Sequence, residues 1–325
     1  MTTRRAAAPA KVNLTLAVSQ RRPDGYHDLS SILVRLALAD RLTARPTGDA
    51  PTLAGGADRL GVSGLPAGPA ADNLVLRAAA ALRAHVGRAQ PPLEFRLAKV
   101  VPVAAGLGGG SSDAAAALAV ASRAWGIALD RASRLRVAAM VGSDVPFFAL
   151  GAAAAWATGR GERLAALPAP AGAPACVLAV PREGVATAAV FEAFDRLRPG
   201  RGDARERAEV ATQRLVSGLR TGLPADELVG RAAELRDAND LWAALVALRP
   251  GLEQLRATLE SRTRRPWLLS GSGPTLFALY ASLAEARGAV QELGSWSTDQ
   301  RDGVRLIATG LGAAHGGPID TGGTA

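Results

Sequence analysis

The 325-residue chain has one cysteine, three histidines and two lysines. The lone Cys176, in the apolar run APACVLAVP, excludes an intrachain disulfide and a thiolate metal cluster, and reads as a small buried hydrophobe. His27, His85 and His315 are too scattered for a zinc site, so no metal-ligating residues are expected. Aromatic residues make up only 4%. The net charge of +9 comes almost entirely from arginines that alternate with acids, as in RGDARERAEV. Solvated mixed-charge helices look like this, and no nucleic-acid partner is expected. No apolar run reaches the roughly 18 residues of a spanning helix, since Pro146 and Gly151 interrupt the best candidate, 145–157. Lys11 and Asn13 break what would be the hydrophobic part of a signal peptide. The expectation is a cytoplasmic protein with no membrane partner.

What is present is the mix of a globular protein, 48% hydrophobic and 21% charged, with length enough for two domains. AKVNLTLAV alternates as a strand, with Lys11, Asn13 and Thr15 on one face and Val12, Leu14 and Leu16 on the other. Pro23, Asp24 and Gly25 signal a turn, and SILVRLALADRL a second strand. Residues 46–71, rich in Gly, Ala and Pro, read as loop. Asp72 is a candidate cap for a helix over 73–86 that ends at Gly87. EFRLAKVVPV reads as a strand running into AAGLGGGSSD. In the alanine-rich helix that follows, Leu118, Ala121 and Trp125 share a face. Asp130 caps another helix, which stops at Gly142. The second half reads as a strand at 176–180, helices between 187 and 260, strands near 267–280, a helix at 282–293 and a strand at 303–308, an α+β order. The expected division is 1–165, 166–312 and a disordered tail over 313–325.

In AGLGGGSSD the glycines leave backbone N–H groups unobstructed, the serines add hydroxyl donors, and the next helix points its positive end at the same spot. That describes a phosphate cradle, with a flexible turn as the plain alternative. It is neither a Walker A loop nor a dinucleotide fingerprint, because the required Lys and third Gly are missing. A cradle without its own lysine needs a cation from elsewhere. Lys11 is available, although a strand-edge lysine can simply be solvated. Lys99 reads as a stem along the sheet with a solvated end. Asp144, in GSDVPFF, is a turn former or, if it meets Lys11, a carboxylate able to accept a hydroxyl proton. His85 suits the end of its helix. His27, beside Tyr26, sits at a turn. GSGPTLFAL reads as a hairpin.

Four segments, PAKVNLTL with RRPDGYHDLSS, VPVAAGLGGGSSDAAAAL, GSDVPFF and LLSGSGPTLFA, in this order and spacing, resemble the 4-diphosphocytidyl-2-C-methyl-D-erythritol kinase family. That family lies within the galactokinase, homoserine kinase, mevalonate kinase and phosphomevalonate kinase (GHMP) superfamily. The Gly-Ser loop marks the superfamily, and RRPDGYHDL the family. The resemblance covers about residues 8–310. It implies an N-terminal α/β ATP-binding domain, a ferredoxin-like C-terminal domain, and ATP-dependent phosphorylation of the 2-hydroxyl of a small molecule carrying a cytidine diphosphate, with Mg²⁺. By position it implies Lys11 and Asp144 as the catalytic pair. The ATP loop would be Pro102, Val103, Ala104, Ala105, Gly106, Leu107, Gly108, Gly109, Gly110, Ser111 and Ser112. Asn13 would be a substrate contact, Tyr26 and His27 would hold the cytosine, Phe191 its other face, and Thr187 a neighbouring contact. The segment around Thr187 and Phe191 departs from the family pattern at Ala188. An acceptor such as homoserine or mevalonate, and a basic nucleic-acid-binding protein on the same fold, are the alternatives.

Overall fold

The alternating pattern at the start of the chain becomes two long antiparallel strands, β1 (Arg4–Arg21) and β2 (His27–Pro46), joined by the expected turn. Their register shifts between Pro9 and Lys11 and again between Asn13 and Thr15, so bulges flank Lys11 and Asn13. The computed structural model describes residues 2–53, 57–69, 72–197, 203–299 and 303–312. The tail expected at 313–325, with His315, lies outside the described residues.

On its other edge β2 pairs with β5 (Ala154–Gly159) along its first half and with β4 (Leu93–Lys99) along its second. β3 (Arg59–Gly64) adds in parallel to β4, and β6 (Arg163–Leu167) in antiparallel to β5. Strand β3 corrects the reading of 46–71 as loop. The same stretch carries Asp58, whose carboxylate grips Arg83 at 2.8 and 2.9 Å in a fully buried pair and also accepts from Leu93 N–H. A local composition of Gly, Ala and Pro gave no sign of a partner 25 residues away.

Against this sheet lie α1 (Leu74–Val86), α2 (Gly109–Ala124), α3 (Arg131–Val141) and α4 (Val145–Leu150). The cap of α1 is Asn73, which accepts from Val75 N–H, rather than Asp72; Asp130 caps α3 as expected. Residues 113–118 of α2, alanine but for Asp113 and Leu118, are all buried. Small side chains let α2 press close to both α1 and β1, and a larger residue there would overpack the core.

The second sheet holds β7 (Ala175–Pro181), β8 (Leu268–Leu269), β9 (Leu276–Tyr280) and β10 (Val304–Gly310), antiparallel in the order β10-β7-β9-β8. Between β7 and β8 run α5 (Thr187–Leu197), α6 (Asp203–Arg220), α7 (Ala225–Gly230), α8 (Ala232–Leu235), α9 (Trp242–Leu248) and α10 (Gly251–Thr263). Helix α11 (Leu283–Asp299) leads to β10. The βαββαβ order is ferredoxin-like. One apolar cluster joins the sheets, with Val12 and Leu14 of β1 and Val101, Ala105 and Leu107 meeting Leu178, Leu268 and Phe277. The segment 101–107 therefore lies at the seam.

Candidate active site

The bulge before Lys11 releases its backbone N–H from the β2 ladder, and that group donates instead to Leu107 O at 2.9 Å. One hydrogen bond thus ties β1 to the glycine loop. The Lys11 side chain is almost wholly buried, donates to Asn13 Oδ1 at 2.7 Å, and has its ammonium 3.6 Å from Asp144 Oδ2. Asn13 in turn donates to Ser31 Oγ, and Ser31 to Thr15 O. Asp144 stands at the start of α4 but does not cap it, and its side chain is 38% exposed. The carboxylate is therefore paired with Lys11 rather than spent on a turn, and it faces solvent where a hydroxyl can reach it.

The loop has little slack. Gly106 and Gly108 both have positive φ, +76° and +68°, and both meet close neighbours. A Cβ on Gly106 would lie 2.2 Å from Ser270 O, and one on Gly108 would lie 3.1 Å from the Lys11 stem and 3.0 Å from the Phe148 ring. Helix α2 begins already at Gly109, so Ser111 and Ser112 belong to its first turns rather than to the loop. Gly108 offers no side-chain cap, which leaves the opening N–H groups of α2 without a side-chain acceptor. Ser112 Oγ is buried with no partner. An unobstructed helix start with a spare hydroxyl is chemistry suited to phosphate oxygens. Val103 and Ala104 are exposed on the rim, Pro102 and Gly110 half-buried, and Ala105 and Leu107 anchor the loop in the core.

The turn between β8 and β9 is a hairpin, as read, and it is also a wall of the site. Ser270 donates to Gly106 O at 3.0 Å, and a Cβ on Gly271 would sit 3.1 Å from both Lys11 Nζ and Asn13 Oδ1. Asn239 holds this turn, donating to Leu269 O and Gly271 O. Ser272 hydrogen-bonds Thr187 at 2.9 Å, which brings the start of α5 to the same place.

One turn along α5, Phe191 packs on the His27 ring at 5.2 Å, and Phe194 meets the same ring edge-on at 5.8 Å. Although it sits at a turn, His27 is buried. Its Nδ1 lies 2.9 Å from Ser19 O. A carbonyl only accepts, so Nδ1 carries the hydrogen and, in the neutral ring, Nε2 keeps a lone pair. Asp195 Oδ1 lies 3.4 Å from Nε2. Tyr26 is 55% exposed at the hairpin tip, with Arg160 stacked 4.8 Å over its ring. Sequence reasoning missed Phe194, Asp195, Ser31, Asn239 and Ser270; the GSGP turn was the one signal available, and hairpin geometry explained it away.

Comparison with known proteins places the chain. The GHMP kinases N terminal domain matches residues 73–152 and the GHMP kinases C terminal domain residues 220–297. A 4-diphosphocytidyl-2-C-methyl-D-erythritol kinase of Pelotomaculum thermopropionicum is 41% identical over 283 residues, 87% of this chain and 91% of the relative. The chain belongs to the 4-diphosphocytidyl-2-C-methyl-D-erythritol kinase family. A kinase of the same name from Streptomyces coelicolor is 38% identical over 96% of this chain and 97% of its own length. The crystal structure of a 4-(cytidine 5'-diphospho)-2C-methyl-D-erythritol kinase superposes with a TM-score of 0.69 at 32% identity, covering 95% of this chain and 99% of that one. The expected α+β kinase fold is thus present, and this kinase sets its glycine loop where its two sheets meet. No helix among the described residues is long and apolar enough to cross a membrane.

Proposed function

We infer that the chain phosphorylates 4-diphosphocytidyl-2-C-methyl-D-erythritol at its 2-hydroxyl, taking the γ-phosphoryl group from ATP, with Lys11 and Asp144 carrying the transfer. The observation that supports this most directly is the ammonium–carboxylate pair, 3.6 Å apart, beside a helix start that has no capping side chain. Asp144 accepts the proton of the 2-hydroxyl as its oxygen attacks the γ-phosphorus. The bond to the bridging oxygen breaks and ADP leaves. Lys11 offsets the charge that gathers on the transferring group. Asn13 and Gly271 fix where that ammonium points, which matters because phosphoryl transfer depends mainly on position and electrostatics.

ATP phosphates are received by the backbone N–H groups along Gly106–Ser112. Were Mg²⁺ bound with the nucleotide here, Ser112 Oγ, buried at the start of α2 without a partner, would be the side chain available to hold it. Its contribution would be to offset negative charge on the phosphates.

The cytosine lies by His27, Phe191 and Tyr26, with Thr187 next to it. With Nδ1 of His27 held by Ser19 O, Nε2 and the Asp195 carboxylate beside it are the polar groups offered to the base. The Asp195 carboxylate, as an acceptor, suits the amino group of cytosine. The reading is tested by Asp144→Asn with ATP and the purified acceptor. Turnover should fall by roughly a thousandfold while ATP still binds; near-normal turnover would sink the assignment of the base.

A further inference from the structure

Beneath the glycine loop lies a second ionic cluster that the mechanism does not use. Lys99, at the end of β4, is 1% exposed, against the expectation of a solvated end. Its ammonium donates to Asp40 Oδ2 on β2 and, at 2.8 Å, to Asp113 Oδ2 on α2. The other oxygen of Asp40 accepts from Val100 N–H at 2.5 Å and Val101 N–H at 2.8 Å, the residues that lead into the loop. Lys99 Nζ would touch a Cβ on Gly109, the first residue of α2, at 3.0 Å. The cluster therefore holds the entry of the loop through Asp40 and its exit through Asp113. Each Asp in it does a different job. Both oxygens of Asp40 accept hydrogen bonds, whereas Asp113 Oδ1 is buried with no donor.

We propose that Lys99, Asp40 and Asp113 are positioning residues for the ATP phosphate loop, and that the charge on Asp113 sets how strongly the loop attracts ATP. This rests on the reading of Gly106–Ser112 as the phosphate seat. With Asp113 neutral, Lys99 and Asp40 cancel and the positive end of α2 acts on the nucleotide undiminished. With Asp113 ionised, the cluster carries a net negative charge one turn below the seat and works against a polyanion. Burial favours the neutral form, against the pull of Lys99, and raises Asp113 from 3.8 to about 7. The charged groups that act on it are Lys99 from β4 and Asp40 from β2. Of the other elements against α2, β1 brings Lys11, held by Asn13, and Asp144 precedes α4 and pairs with that lysine. From α1 the buried charge is Arg83, neutralised by Asp58.

The test is the KM for ATP of the full chain from pH 6 to pH 9, beside that of Asp113→Asn, an amide of the same shape that cannot ionise. In the parent KM should rise by roughly tenfold across the range relative to the variant, with kcat affected less. The variant should stay at the low value, and an equal rise in both proteins overturns the proposal. Should Asp113→Asn fold poorly, Asp113→Ser removes the same charge and must flatten the profile likewise. A separate probe guards the underlying reading. An added Cβ at Gly110 meets only Leu74, at 3.7 Å, so Gly110→Asp adds a carboxylate to the first turn of α2, next to the seat, with ordinary contact at its Cβ. If that variant leaves KM for ATP unchanged, the seat is wrong. If it raises KM while Asp113→Asn keeps the parental profile, only the present inference fails.

Discussion

The chain has two lysines, and they stand on either side of one glycine loop in opposite conditions. Lys11 faces a single carboxylate, Asp144, that is 38% open to solvent and 3.6 Å away. Lys99 is sealed between two buried carboxylates in closer contact. The first arrangement leaves the carboxylate partly open to a third group, which under the proposed function is the reacting alcohol. The second leaves neither carboxylate open. One residue type thus serves as a tool where its partner is half free and as a rivet where its partners are committed. A buried ammonium is tolerable only when paired and hydrogen-bonded, and both lysines satisfy that condition by different means.

Lys11→Met should break the comparison most severely. A loss of at least a thousandfold in kcat is expected, with only about 1 kcal/mol of stability lost from the Asn13 hydrogen bond. Thermal unfolding measured beside turnover checks both halves. Lys99→Met should do the reverse, stranding two buried acids at a cost of about 3–5 kcal/mol, or roughly 5 °C in Tm. Adding Asp113→Asn to it should recover part of that loss, because one of the stranded charges is then gone. The smallest effect sharpens the role given to Asp113. Asp240 is a half-buried acid with one buried, unpartnered oxygen, raised from 3.8 to about 6 by desolvation. It accepts from Val18 N–H far along β1 rather than at the loop. The native state keeps that proton between about pH 4 and 6 while the unfolded chain gives it up. Stability from this group therefore falls as pH rises through that window and is level above it. Asp240→Asn should remove that slope from a denaturant titration series without changing KM for ATP.

How far these roles can be read from the sequence depends on how local their causes are. The glycines of 106–110 and the alternation around Lys11 are visible because turn chemistry and strand period act over a few residues. Asp144 is visible as a candidate, but its freedom from capping duty is a matter of side-chain direction. Lys99 was misread because its burial is decided by Asp40, 59 residues earlier, and by Asp113 on a helix that the strand pattern does not announce. The segment around β3 was misread for the same reason, since the pairing of Asp58 with Arg83 is long-range and its composition is that of a loop. The hairpin at 270–275 shows a subtler limit. Its local shape was legible, whereas its contact with Lys11 and Asn13 depends on how the two sheets pack together.

The most direct measurement is a double-mutant cycle on the pair at the centre of the site, using single-turnover phosphoryl transfer at saturating ATP and acceptor. If Lys11 and Asp144 act as one unit, the rate of the Lys11→Met, Asp144→Asn double variant should fall little below that of the slower single variant. Two losses that simply multiply would contradict it, since independent groups do not share a transition state in that way.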